Sequence, residues 1–561
     1  MGPQNPFSQQ LHAEKYRGKG ETFREFVNRL AGSLSDNQNE FRALQDIIGN
    51  QRFLPGGRIQ SAIGSTRNVT ALNCYCSGSI SDSFVDGENC IMDIAKQAAA
   101  TMRQGGGIGY SFGTLRPRGD LIKKLDSNSS GPVSFMMIFD AICRCVASSG
   151  HRRGAQMAVL PVSHPDVEEF IRAKHDKTSL TGFNVSVGIT DEFMKCLCEK
   201  KPFPLTWEGK TYREVDPVAL WDTLMRSTWD WSEPGVMFLD AINVNNNLSY
   251  CETIHTSNPC GEVPLPPHGA CLLGSFNLTK YVRDGSFNWA LFKRDIPYAV
   301  KALDNVIDQA RYPLPEQEKE EKTKRRIGIG VTGLANALEY LGHPYGSEGF
   351  IKLQEDIFRT LRDECYRASV DLAKERGSFE LLDREKHLER PFIQALPDDI
   401  KEGIKQFGIR NSHLLAVAPT GTISICADNV SSSIEPVFSY KTTRTVHTQG
   451  EVKQVEVNDY GYEVLGVKGK RCHEVTVDEH LAVLSTAQRY VDQAVSKTCN
   501  IGENTTFEEF KQVYIKAYDL GCKGCTTYRT NGKRNAVLVS ADDDEGQACR
   551  IDPETGRREC D

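Results

Sequence analysis

Ser257-Asn258-Pro259-Cys260-Gly261-Glu262 sets a thiol between an amide two residues back and a carboxylate two residues on, with Cys271 close behind. In an extended loop, residues i and i+2 project to one side, so Asn258, Cys260 and Glu262 are expected to face one ligand together. Pro259 and Gly261 disfavour a regular helix and predict a tight loop. Cys260 can serve as nucleophile or radical carrier, Glu262 as proton acceptor, and Asn258 as both donor and acceptor. A buried turn cysteine would explain a lone thiol. It explains the whole triplet poorly.

The chain around this loop has 561 residues, enough for several ordinary domains or one large α/β architecture with additions. A net charge of −7 gives no general attraction to nucleic acid or to an anionic membrane. Any phosphate-bearing ligand must then be held by local donors. No apolar run approaches a membrane span, and residues 1–30 lack the hydrophobic region of a signal peptide. Eighteen cysteines without a secretory signal predict a reducing cytoplasm, where thiols are buried, catalytic or metal-bound.

Along the chain, residues 1–52 read as polar helical sequence, with apolar spacing of period 3.6 over Thr22–Leu30, and Phe53–Arg58 is a turn-rich break. Leu72-Asn73-Cys74-Tyr75-Cys76 is a short strand carrying two thiols. A helix over Ile91–Met102 runs into Gly105-Gly106-Gly107-Ile108-Gly109, which suits close backbone approach to a phosphate or ribose, or a flexible hairpin. His151–Met157 is either a solvated charged turn or a loop that senses a nucleotide. From 160 to 440, helices alternate with short apolar strands, which favours an α/β sheet or barrel. Residues 536–561 turn acidic without an apolar face and read as a flexible tail.

Two glycine-bearing loops invite a phosphate reading. Gly328-Ile329-Gly330-Val331-Thr332-Gly333 matches G-x-G-x-x-G, but Glu320–Arg326 before it is too charged for the strand a dinucleotide fold needs. Helix packing is the expected reason for these glycines. Pro419-Thr420-Gly421-Thr422-Ile423-Ser424 instead follows the apolar run Leu414–Ala418 and offers hydroxyl and backbone donors without added charge. A capped turn competes with that reading. Cys522-Lys523-Gly524-Cys525 has no second CxxC to complete a zinc site, so strand sequence is the expectation and no metal is assigned. Cys549 and Cys560 lie in polar tail sequence, either as a tethered dithiol able to exchange with a disulfide or as incidental thiols.

Taken together and in order, Asn73-Cys74, Gly107-Ile108-Gly109, Asn258–Glu262, Cys271, Pro419–Ser424 and Ser433-Ile434-Glu435-Pro436 resemble the ribonucleotide reductase catalytic chain. Leu54–Arg58 and Lys523–Arg529 look most like the adenosylcobalamin-dependent class II branch. The resemblance implies a ten-stranded α/β barrel of two five-stranded parallel halves over residues 53–535, with Cys260 on a central finger loop. It implies a thiyl radical on buried Cys260, Glu262 as the base for the 3′-hydroxyl, Asn258 as the orienting amide, and Cys74 and Cys271 as the reducing pair. Cys549 and Cys560 would form the tail shuttle, reduced by a thioredoxin- or glutaredoxin-like protein.

By the same resemblance Asn73, Gly106, Gly107, Pro419, Thr420, Gly421, Thr422, Ile423 and Ser424 would bind substrate. Asp82, Ser83 and Arg116 would hold a deoxynucleotide or ATP effector, and Arg152, Arg153, Gly154, Ala155 and Gln156 would form the specificity loop. A homodimer is implied, with a monomer as the alternative. No Tyr-Tyr pair occurs for a class I radical path, the C-terminus offers no glycyl-radical motif, and the region before Leu54 is short for an ATP-cone. A class I chain needing a metal-bearing subunit, a non-catalytic nucleotide sensor and a Rossmann dehydrogenase resting on Gly328–Gly333 are the competing readings.

Overall fold

The computed structural model describes residues 1–148, 152–153, 155–176, 178–448, 451–502, 504–529, 549–551 and 558–560. The strands that frame the molecule are β1 (Phe53–Pro55), β2 (Cys74–Cys76), β3 (Gly107–Ser111), β4 (Gln156–Pro161), β5 (Phe183–Ile189), β6 (Gly235–Phe238), β7 (Ala270–Cys271), β8 (Leu273–Asn277), β9 (Gly328–Thr332), β10 (Thr498–Ile501) and β11 (Gly524–Arg529). Eight of them form one sheet in the order β7-β2-β3-β4-β5-β6-β11-β10, and β1-β8-β9 form a second.

From β2 to β6 every neighbour is parallel. Parallel strands need crossovers, and helices Ile91–Arg103, Pro132–Cys145, Val167–Arg172 and Pro217–Trp231 supply them in turn. Helices on the sheet demand apolar strand faces. Ala158–Leu160 and Val185–Ile189 are accordingly buried without a polar-out alternation. β11 then runs antiparallel to β6, and β10 parallel to β11. Helices Pro6–Tyr16, Phe23–Leu34 and Gln38–Gly49 occupy the N-terminal stretch, and no helix among the described residues is long and apolar enough to cross a membrane.

The expected ten-stranded barrel is not found as a closed sheet. A second parallel run does exist: β8 pairs with β9, and Ile329–Leu415 and Val417–Val495 continue it as parallel bridges. Those two links are isolated bridges, and side chains occupy the places of ladder partners. The Asp492 carboxylate accepts from the backbone N–H groups of Leu414 and Leu415 at 2.8 and 2.9 Å. Gln493 Nε2 donates to the carbonyls of Ile327 and Leu415 at 2.8 and 3.1 Å. A carboxylate and an amide thus satisfy backbone groups that a strand would otherwise pair.

The glycine-rich stretch is also corrected. Gly328–Thr332 is itself a fully buried strand; of the charged residues before it, Glu320–Lys324 end the helix Pro315–Lys324 and Arg325 caps it. A Cβ on Gly330 would stand 2.4 Å from the carbonyl oxygen of Ala416, and one on Gly328 would stand 2.8 Å from the Ala416 methyl. The glycines therefore permit close approach of two chain segments, not helix packing and not a dinucleotide.

Candidate active site

A short antiparallel hairpin, Thr256–Ser257 with Pro264–Leu265, carries the loop 258–263. It passes tightly against β3: a Cβ on Gly109 would fall 1.9 Å from the Ser257 carbonyl oxygen, so only glycine fits there. The loop closes on itself through Asn258 N–H to the Val263 carbonyl at 3.2 Å and Gly261 N–H to the Asn258 carbonyl at 3.0 Å. Gly261 has a φ of 83°, the left-handed region such a turn needs. The turn overrides the extended geometry expected for the triplet. Asn258 and Glu262 point inward and are buried, whereas Cys260, expected to be buried, is exposed.

Behind the loop the polar atoms stand ready. Asn258 Oδ1 accepts from Val263 N–H at 3.0 Å and from Ser257 Oγ at 3.1 Å. Among the described residues, neither Asn258 Nδ2 nor Glu262 Oε2 has a hydrogen-bond partner. Burial without a neighbouring cation raises the Glu262 carboxyl to about 7, with the Asn258 amide working against that rise. A buried carboxylate poised near neutrality suits a general base.

The thiol pair lies beside this loop. Cys74 on β2 is directly opposite Cys271 on β7. Burial first, then Cys74, holds Cys271 well above the ordinary thiol range. Two electrons and two protons can leave such a pair as it closes to a disulfide. Gly107 marks the junction: a Cβ there would reach Cys74 Sγ, Pro259 Cγ and the Ala155 carbonyl, each at 3.2 Å. Asn73 joins through its backbone, donating to Cys271 and accepting from Gly107 at 3.2 and 3.1 Å. Val263, Leu265, Cys76, Cys271, Leu273 and Ala416 pack as one small apolar cluster, with Cys74 and Ala418 against it.

Ala418 leads into the Pro419–Ser424 loop. Thr420 takes a φ of 53°, and its hydroxyl lies 3.0 Å from that of Thr332 and accepts from Ser433 N–H at 2.7 Å. A short helix, Gly421–Ile425, starts there with Gly421 exposed. Its first-turn N–H groups have no intrahelical acceptors.

These features decide the comparison with known proteins. Residues 74–528 match the model of the ribonucleotide reductase barrel domain. The chain is 34% identical over 554 residues to a vitamin B12-dependent ribonucleoside-diphosphate reductase of Thermoplasma acidophilum, covering 93% of this chain and 69% of that protein. The chain belongs to the ribonucleotide reductase family. A Mycobacterium tuberculosis protein also named vitamin B12-dependent ribonucleoside-diphosphate reductase is 33% identical, covering 95% of this chain and 79% of its own. A vitamin B12-dependent ribonucleotide reductase of Streptomyces coelicolor is 26% identical, over 92% and 62%.

Of the other residues singled out in this reductase-family sequence, Ala155 reaches the Gly107 junction through its carbonyl, and the rest have the following places. Asp82 and Arg116 meet as an ion pair at 2.7 Å, reinforced by Arg116 N–H to Asp82 at 3.0 Å, and Ser83 Oγ accepts from Asp86 N–H at 3.1 Å. Gly106 packs on Tyr75. Arg152–Arg153 pair with Ala147–Ser148 in a two-residue ladder, and Gly154 lies outside the described residues. Ala155 is exposed, while Gln156 turns into the core, accepting from Tyr110 OH at 2.9 Å and donating to the Phe139 carbonyl at 3.2 Å. Cys525 does not partner Cys522 across the CxxC. Its Sγ lies 3.8 Å from Cys499 on the neighbouring strand.

Most of the tail lies outside the described residues, but Cys549–Ile551 and Arg558–Cys560 pair antiparallel with Cys549 opposite Cys560. Sequence reasoning missed Asn184, whose Nδ2 donates to the Pro259 carbonyl at 2.9 Å, one residue before the exposed thiol. An amide inside the apolar run Phe183–Ile189 was the available signal. It missed the bonding roles of Thr332 and Asp492 as well, because nothing local marks a side chain that acts on a segment 88 or 78 residues away.

Proposed function

We propose that this chain reduces ribonucleotides, as diphosphates, to 2′-deoxyribonucleotides for DNA synthesis, as an adenosylcobalamin-dependent class II ribonucleotide reductase. The observation that carries the reading is the convergence at Gly107 of the Cys74–Cys271 pair and the Cys260 loop. Relatives named for vitamin B12 and for diphosphates support the cofactor and substrate.

The residues fit that cofactor. Cys260 is exposed, a Cβ on Gly261 beside it would meet nothing within 4 Å, and Glu262 behind it is sealed in. No set of three or more His, Cys, Asp or Glu side chains among the described residues is placed to hold a metal ion. The site suits a group that lies against the thiol, not one ligated by side chains. When bound, adenosylcobalamin supplies an organic radical by cobalt–carbon homolysis.

The chain's own residues do the rest. Cys260 carries the unpaired electron to the ribose and takes the 3′ hydrogen atom. Glu262 accepts the 3′-hydroxyl proton, and Asn258 Nδ2, without a hydrogen-bond partner among the described residues, orients the sugar hydroxyls. Cys74 and Cys271 give two electrons and two protons as the 2′-hydroxyl leaves as water: one hydrogen completes that water and the other ends on C2′, their two S–H bonds give way to one S–S bond, and Glu262 returns its proton to the 3′ oxygen. Cys260 recovers its hydrogen from the product.

The Pro419–Ser424 loop holds the substrate phosphates and Gly107 lies against the nucleotide. Asp82, Ser83 and Arg116 hold the effector and residues 152–156 relay its identity. Cys549 and Cys560 pass electrons from a thioredoxin- or glutaredoxin-like dithiol. The two parallel strand runs act as halves of a ten-stranded barrel around the hairpin, and the chain works as a homodimer.

CDP, adenosylcobalamin and dithiothreitol together should yield dCDP with the purified chain, and Cys260→Ser should yield none. A requirement for a second, metal-bearing subunit would replace this reading with a class I one.

A further inference from the structure

The Pro419–Ser424 loop has a back as well as a front, and residues far away in sequence hold the back. Gly421–Ile425 is little more than one turn, too short to be stable alone. Its last carbonyls have no acceptor role inside the helix, and beyond the Asn429 N–H that reaches the Ile425 carbonyl at 3.2 Å the donors come from far away. Ser8 Oγ donates to the Ile425 carbonyl at 2.6 Å, and Gln51 Nε2 donates to the Cys426 carbonyl at 3.1 Å. Two residues on, the Asp428 carboxylate accepts from the backbone N–H groups of Gln4 and Asn5 at 2.6 and 2.9 Å. Ser8, Gln51 and Asp428 are all buried. Asn5 in turn caps the helix Pro6–Tyr16, so the segment arrives as a rigid piece. Asp428 itself has a φ of 64°, a left-handed conformation that this docking helps to hold.

We propose that segment 4–8, with Gln51, is a positioning element for substrate: it fixes the loop that holds the nucleotide phosphates, and nucleotide binding and docking of this segment stabilise one another. This rests on the reading of Pro419–Ser424 as the phosphate loop. The physical ground is linkage. If docking raises nucleotide affinity by fixing the loop, bound nucleotide strengthens docking by the same factor. Ser8 and Asp428 touch no substrate; they act through the loop.

The test uses the full chain with Ser8→Ala, Asp428→Asn and, as the direct control, Thr422→Val. Equilibrium binding of CDP, kcat, KM, melting temperature and hydrogen exchange over residues 1–12 are measured for each. The Ser8 and Asp428 variants should bind CDP roughly five- to tenfold more weakly, with kcat within about twofold and rescue by Ser8→Thr. CDP should slow exchange of the Gln4 and Asn5 amides in the unaltered chain.

Unchanged CDP affinity in both docking variants, beside a weakened Thr422→Val, would overturn the proposal and leave the phosphate reading standing. Unchanged affinity in all three would remove the phosphate reading itself. A parallel fall of kcat, affinity and melting temperature would make the contacts merely structural, and CDP-independent exchange at residues 4 and 5 would also overturn the coupling.

Discussion

Glu252 and Glu262 lie ten residues apart and both are shut away from water, yet the protein treats them in opposite ways. The Glu252 side chain is 3% exposed and bonds to Arg326 at 2.6 Å, Lys324 at 2.8 Å and Asn246 at 3.0 Å. Burial pushes its carboxyl up, but Arg326 and Lys324 outweigh that and hold it below the usual range. Glu262 is equally buried, faces no cation and keeps one oxygen unpaired among the described residues, so burial outweighs the opposing hydrogen bonds and sets it near 7. A buried polar group with all its partners supports the fold, and one left with spare bonding capacity is available to a ligand.

The sharpest way to break this contrast is to neutralise each carboxylate. Glu262→Gln should cut turnover by roughly 10²–10⁴-fold and erase an acid limb near pH 7 in kcat/KM, read from a pH series. Glu252→Gln should keep its turnover per folded molecule and show no such change in pH profile. Its effect should instead fall on stability, about 3–5 kcal/mol in urea unfolding, because Arg326 and Lys324 lose a buried counter-charge.

Stability should also slope oppositely with pH at the two sites. Glu262 has a folded-state value raised to about 7, so its contribution is fully present below the ordinary carboxyl range and is lost as pH rises to 7. The resulting cost is about 3 kcal/mol at pH 8, and Glu262→Gln should be the more stable protein there. Glu252, held low, contributes stability above the ordinary carboxyl range and loses it as pH falls through its depressed value. Unfolding midpoints of the Glu262 variant at pH 5 and pH 8 check the first sign, and those of the Glu252 variant from about pH 5 down to about pH 3 check the second. The smallest expected effect is at Asn184: removing its hydrogen bond to the Pro259 carbonyl in Asn184→Ala should cost about 1 kcal/mol of positioning, roughly a fivefold loss of turnover, with little change in melting temperature.

The candidate site groups were legible as a cluster because their signal is local. Asn258, Cys260 and Glu262 stand within five residues, and Cys74 and Cys271 each sit in a short recognisable context. The parallel run β2–β6 was legible too, from apolar strands alternating with helical sequence. The arrangement of the triplet was not. Backbone bonds inside the turn send Cys260 outward and its two neighbours inward, the reverse of an extended loop. Closure of the sheet was misread because Asp492 and Gln493 take over ladder hydrogen bonds near Leu415, and side-chain substitution for a strand partner leaves no periodic trace.

The amino-acid order alone determined which reactive groups this protein owns and that they cluster within short stretches. The folded arrangement decided what each can do. A carboxylate's readiness to take a proton depends on charges and water within a few ångströms, and for Glu252 those neighbours, Lys324 and Arg326, lie some seventy residues further along the chain. No local pattern carries that information, since the electric field at a site belongs to the packed molecule.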